Sequence, residues 1–271
     1  MAVCVKQVSS YGIPVLEIIA ARALVSLLIS YADVKRKKLS VWGNNKPLLI
    51  ARGLVGTITL ICVYYAVITL PLADATLIQY LHPAFTAVIA LVFLKEKVHL
   101  STILCIILSI IGLSVLLLPD TIQSSVIQAK PAELPSLSVI VAIFGALGSA
   151  VAYVLVRKLS HSEDSSVIIF YFPFIALPVA VLFPGESFIL PNLESLGLLI
   201  LVGIFTQVGQ VGLTKALQHD TASKATAYSY VQVIFAVLLG WIFFAETPST
   251  WFWIGGSMIM AGALINTLWK H

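Results

Sequence analysis

Two stretches of this chain are copies of one another. Residues 48–118 and 198–268 align without a gap at a constant offset of 150. Leu48, Leu49, Ile50 and Gly53 match Leu198, Leu199, Ile200 and Gly203. Further on, Ala75, Thr76, Tyr80, Phe85, Phe93, Glu96 and Gly112 match Ala225, Thr226, Tyr230, Phe235, Phe243, Glu246 and Gly262. Apolar matches are cheap in so apolar a chain. Those at Thr76, Tyr80, Glu96 and Gly112 weigh more, because polar and glycine positions are scarce inside the runs. A repeat on this scale points to a two-fold membrane architecture rather than a solenoid.

Lipid has to be the solvent. Of 271 residues, 59% are hydrophobic and 10% charged, with a mean hydropathy of +1.03. A soluble domain carries roughly 25% charged residues. The formal charge of +4 is too small to argue for nucleic acid. Cys4, Cys62 and Cys105 all fall in apolar runs without metal or redox spacing, so they read as small apolar residues. The opening MAVCVKQVSS has no basic stretch before a long apolar run, and no cleavable signal peptide is expected.

A spanning helix needs about 20 mostly apolar residues, twice the length of a barrel strand. Nine runs qualify: 11–31, 47–70, 73–94, 100–118, 137–159, 166–183, 193–217, 222–244 and 251–269. Most hinges are tight. Residues 119–136, with Pro119, Pro131 and Pro135, read as a linker between a first repeat at 1–118 and a second at 137–271. The second repeat then holds five spans and the first holds four plus the stub 1–9. The expectation is an all-α integral membrane protein of two five-helix repeats, a ten-helix plan with the first helix largely missing. A nine-span variant is the alternative.

Basic residues mark the cytoplasmic side. Lys35, Arg36, Lys37, Lys38 and Lys46 share one loop. Every second connection after it is basic too, through Lys95 and Lys97, Arg157 and Lys158, and Lys215 and Lys224, with Lys270 at the end. The intervening connections hold only Lys130. This places the C-terminus in the cytoplasm. Five spans per repeat is an odd number, so the repeats should be inverted, and the charges agree: Asp74 and its equivalent Lys224 fall on opposite sides.

Polar groups inside lipid are expensive and tend to face a cavity or a partner. Thr76, Gln79, Pro83 and Thr86 share one helical stripe, flanked by Tyr80 and His82. Ser229 and Gln232 form a strip beside Thr226, Tyr228 and Tyr230, and Gly203, Gln207, Gln210 and Thr214 line the helix before. Together these stripes would enclose a polar, aromatic-edged cavity; singly, each is as well explained as interhelical hydrogen bonding. His82 has the residue type for proton sensing, although a neutral, bonded histidine suffices. Arg22 and Lys6 are candidate contacts for a carboxylate or phosphate. Arg52 falls within or near a span. Glu96 and Glu246 sit at hairpin starts and read better as carboxylates bonding the amides of the next helix than as gates. Gly112, Gly255, Gly262, Gly145 and Gly148 suit close helix packing. Pro83, Pro173 and Pro178 should kink or loosen their spans. No nucleotide-binding glycine loop, HExxH or nucleophile elbow is present in the sequence, and an enzyme is not expected.

Three segments carry a resemblance: AARALVSLLIS with Arg22, ADATLIQYLHPAFTAVIALVFLKEKV with Pro83 and Glu96, and ASKATAYSYVQVIFAVLLGWIFFAETPS with Glu246. The chain resembles the EamA-type permeases of the drug/metabolite transporter superfamily over nearly its whole length. Val233 stands where relatives often carry the repeat equivalent of Pro83. The resemblance implies two inverted five-helix EamA repeats and a secondary transporter, an exporter or permease of an amino acid or related small metabolite. Alternating access would run around a midplane site lined by Gln79, Tyr80, His82, Gln207, Gln210, Tyr230 and Gln232, with Arg22 and Lys6 as anion contacts. No cofactor and no metal are expected. The partners are a small-molecule substrate and the bilayer of the plasma (inner) membrane, and a homodimer is compatible with the sequence. The other class is a non-transporting membrane scaffold or subunit.

Overall fold

The computed structural model describes residues 11–69, 78–126, 136–182, 191–231 and 250–269, with the isolated positions Cys4, Val8, Phe235, Leu238 and Ile242. Within them the chain is all helix and loop. The helices are α1 (Val15–Arg36), α2 (Lys46–Thr69), α3 (His82–Ile89, continued by a wider π turn Ala90–Leu94), α4 (Leu100–Val126), α5 (Ser136–Leu159), α6 (Ser165–Leu182), α7 (Leu193–His219), α8 (Ala222–Ala227, continued by a 3-10 turn Tyr228–Tyr230) and α9 (Thr250–Leu268).

The exterior is apolar and much of the polar chemistry is inside. Leu193 is 86% exposed, Phe93 75% and Leu182 74%, while Arg22, Arg52, Glu17 and Asn266 are buried. In water such a surface drives aggregation; in lipid it is simply solvated. By length and composition, four of the described helices can cross a bilayer: Lys46–Ala66, Leu137–Leu159, Ser165–Leu182 and Leu193–His219. Several of the other apolar runs, among them 73–94 and 222–244, lie partly outside the described residues. α1 buries Glu17 and Arg22 and ends in Asp33, Lys35 and Arg36. α4 runs through Pro119 to Val126, past the end of its apolar run.

Both helices are irregular at the same repeat position. Tyr80 and Leu81 form a turn before α3, where Pro83 supplies no N–H to continue the helical bonding. In the second copy α8 tightens to a 3-10 turn at Tyr228–Tyr230 without any proline, and the backbone stays right-handed helical through Val231. A kink was expected at Pro83, and an unbroken span in the second copy.

By contact density the chain separates into two compact units, Met1–Ile58 with Ala152–Asp220 and Thr59–Val151 with Thr221–His271. Each unit draws on both halves of the sequence, and α2 and α5 contribute to both. In the first unit α1 packs on α6, its equivalent at the 150 offset, and on α7. The contacts are reciprocal. A methyl at Gly53 would strike Ile175, and one at Gly203 would meet Val25 at 2.5 Å, Val25 and Ile175 being themselves repeat mates. Ile18, Leu199 and Val202 form the core there.

The loop end of the first unit is held by ions and caps. The Lys37 ammonium donates to Asp164 at 3.0 Å and to Ser166 at 2.7 Å, and the Ser166 hydroxyl donates to Asp33. Arg157 donates to the terminal carbonyls of α7, Leu217 and Gln218, where a cation also opposes the helix dipole. Burial alone would raise the Asp164 carboxyl, but the Ser166 N–H and Lys37 hold it below its ordinary value of 3.8. A carboxyl lowered in the fold stabilises it above the unfolded value and ceases to do so as pH falls through the native value. The melting temperature of the solubilised protein should therefore fall from about pH 6 to about pH 3, with a shallower slope in Asp164→Asn. Equal slopes would exclude this cluster as a contributor.

The second unit repeats the reciprocal pattern. α4 and α9 are repeat mates and pack along each other. A methyl at Gly112 would lie 2.6 Å from the Gly255 carbonyl oxygen, and one at Gly262 would lie 3.2 Å from that of Cys105, the repeat mate of Gly255. Gly145 seats Val63 and Gly148 seats Thr59 in the same unit. The Thr102 hydroxyl donates to Asn266 at 3.0 Å in the buried seam. Glu96 accepts from the Ala222 N–H at 2.8 Å. It does cap a helix, as expected, but the helix is α8 rather than the next one in sequence.

Candidate functional site

Four of the expected site residues lie together in the second unit. Tyr80 and its repeat mate Tyr230 stack with ring centres 6.0 Å apart and planes inclined at 30°. His82 is 6.5 Å from the Tyr80 ring, with Nε2 3.5 Å from the Ser229 hydroxyl. Gln79 donates from Nε2 to the Ser149 hydroxyl of α5 at 3.1 Å, and Ser149 in turn donates to the Gly145 carbonyl. The Tyr230 hydroxyl is buried without a hydrogen-bond partner. Ser229 and Thr226, expected as an open polar strip, donate to carbonyls of their own helix at Thr226 and Ala222. The turn before α3 and the 3-10 turn after α8 thus meet at one aromatic pair.

Three others lie in the first unit. Gln207 donates to the Ser30 hydroxyl of α1 at 2.8 Å, leaving its own Oε1 buried and unpaired. Gln210 is partly exposed on α7. Arg22 is buried, with its guanidinium 5.8 Å from the centre of the Phe172 ring. Phe172 occupies the position equivalent to Arg22 in the second repeat. Lys6 and Gln232 lie outside the described residues.

Sequence reading gives no site role to Arg52, noted only as within or near a span, to Ser149, assigned to close helix packing, or to Phe172 and Ser30. Arg52 is only 4% exposed and sits 5.2 Å from the Phe172 ring centre. Its signal was present, since a cation inside a span is a functional candidate by default. A cavity of about 600 Å³ in the same unit, bounded by Trp42, Lys46, Ile50, Leu54, Tyr171, Phe174 and Ile175, contains none of the expected residues. Its walls are mostly apolar, with Trp42, Ile50, Leu54 and Phe174 exposed and Tyr171 buried, which suits a lipid-facing groove. Among the described residues no cluster of three His, Cys, Asp or Glu side chains is placed to hold a metal ion.

Apolar helix faces outside and buried polar groups define a helical membrane protein. The chain belongs to the EamA-like transporter family, which matches residues 1–118 and 136–268. It is 28% identical over 265 residues to the pseudopaline exporter CntI of Pseudomonas aeruginosa, covering 97% of this chain and 89% of that protein. It is 31% identical to mouse solute carrier family 35 member G1, covering 91% of this chain and 69% of the carrier. A crystal structure described only as that of a protein superposes with a TM-score of 0.79 at 18% identity, over 98% of this chain and 91% of its own. At that identity the likeness speaks for the fold alone.

Proposed function

We propose that this protein is a secondary transporter that exports a small organic metabolite, an amino acid or a related compound, by alternating access around a site built from both repeats. The observation that carries the reading is the Tyr80–Tyr230 stack between the turn before α3 and the 3-10 turn after α8. Discontinuous helices whose interrupted backbone faces a cavity are the usual substrate site in transporters built from repeats. Gln79, Tyr80, His82 and Tyr230 are proposed to line it, and Gln207, Gln210, Gln232, Arg22 and Lys6 are proposed as further substrate contacts. The export direction is supported by the similarity to an exporter. The run of basic loops supports a cytoplasmic C-terminus, and the odd span number inverted repeats, in the proposed plasma (inner) membrane.

Proteoliposome counterflow with a panel of labelled amino acids tests this. Gln79→Ala should lower the flux of the accepted solute about tenfold, the equivalent of ~1.4 kcal/mol, with an unchanged melting temperature. Tyr230→Leu should do the same. Full flux in both variants would refute the site. No solute-dependent flux in the parent protein would leave the scaffold reading, which the Gln79–Ser149 and Gln207–Ser30 bonds also suit.

A further inference from the structure

Arg52 stands out in the first unit for what surrounds it. Its Nε and Nη1 are buried with no hydrogen-bond partner, and among the described residues no carboxylate forms an ion pair with it. An unmet buried donor is costly, and more so on a charged group. The surroundings are built to keep this group in place. Phe172 lies under the guanidinium at 5.2 Å. Tyr153 is its electrostatic neighbour but not a hydrogen-bond partner. Gly56, one helical turn on, leaves the space it occupies: a methyl there would run into Arg52 Nη1 and lie 2.8 Å from the Phe172 ring. Arg22 approaches the same ring at 5.8 Å. Arg52 lies six residues, about 9 Å along the axis, from the start of α2 at Lys46.

We infer that Arg52 is the principal contact of an oxyanion subsite, with Arg22 beside it and Phe172 as its floor, and that the subsite takes the carboxylate or phosphate group of the transported solute. Arginine suits the task because its planar donors match those oxyanions and bury more readily than an ammonium. The inference rests on the transport reading and narrows it to anionic or zwitterionic solutes.

The test is a thermal-shift titration of the purified full chain at constant ionic strength. The probes are succinate, inorganic phosphate, neutral succinamide and phosphatidylglycerol micelles, with parallel counterflow. Succinate or phosphate should raise the melting temperature saturably, and succinamide should not. Arg52→Gln should abolish the shift. Arg52→Lys, which keeps the charge and guards against misfolding of the first variant, should weaken apparent affinity about tenfold. No shift with either oxyanion, an equal shift with succinamide, or a shift retained in Arg52→Gln would overturn the subsite. A shift with phosphatidylglycerol alone would assign the site to lipid and overturn a solute role. Flux of a neutral solute without any oxyanion shift would sink this inference and leave transport standing, whereas absence of all flux would sink transport itself.

Discussion

Gly112→Val should leave little folded protein, while Gly209→Val should behave like the parent. The difference is in what a side chain would meet. At Gly112 a first carbon already lies 2.6 Å from the Gly255 carbonyl oxygen and 3.0 Å from Ile259 Cγ1. The oxygen belongs to helix backbone and cannot rotate away, so α4 and α9 would have to separate along their seam. At Gly209 nothing lies within 4 Å. Overpacking usually costs about 1–3 kcal/mol. A β-branched side chain against backbone belongs at or above the upper end. Within lipid there is little hydrophobic penalty for parting two helices, so close packing is what holds them. Gly262→Ala, with its nearest contact at 3.2 Å, should be milder and cost about 1 kcal/mol. Fluorescence-detected size exclusion and a melt of the solubilised protein would decide. A Gly112→Val melt within about 2 °C of the parent would mean that the two helices do not depend on this contact.

The same glycines show how far the sequence could be read. Gly53 with Gly203, and Gly112 with Gly262, were visible as repeat matches before any contact was known, and each pair makes mirrored contacts inside one unit. Repeat-related residues meeting one another reciprocally is what a two-fold relation produces. The offset of 150 therefore carried packing information as well as ancestry. Other features were not legible. Hydrophobic periodicity marks a buried face only when the opposite face is polar, and with 59% hydrophobic residues the lipid face and the core look alike. Hence the partners of Gln79 and Gln207, serines on other helices, could not be chosen from many. Arg52 was legible only as a cation within or near a span, and its burial is what distinguishes it. The turns at Tyr80 and Tyr228 were half legible: Pro83 marks the first, while no residue type announces the second. Glu96 was readable as a cap, but α8 as its target lies far along the chain from it.

Glu163→Ala is expected to lower stability by about 3 kcal/mol and to loosen the Arg52 site as well. The Glu163 carboxylate is 7% exposed and accepts the Asn44 N–H at 2.6 Å and the Asn45 N–H at 2.5 Å. These amides lie at the start of α2, where unpaired donors and the dipole both favour a negative charge. A hydrogen bond to a charged group is worth about 1.5–3 kcal/mol, and partial access of water to the freed amides discounts the sum of two. The turn is shaped to admit the carboxylate. Gly43 has φ +59°, and a methyl there would lie 2.9 Å from Glu163 Oε2. Glu163 stands just before α6, so it ties the first turn of α2 to that of α6. Arg52 and Phe172 lie only about two helical turns further along these same two helices. Losing the tie should therefore shift the guanidinium against its ring and weaken any oxyanion-dependent melting shift severalfold. Glu163→Gln, whose amide oxygen can still accept one of the two bonds, should recover about half of the stability. A loss below about 0.5 kcal/mol in Glu163→Ala, within the range of ordinary surface substitutions, would mean that this carboxylate does not hold the two helix starts together.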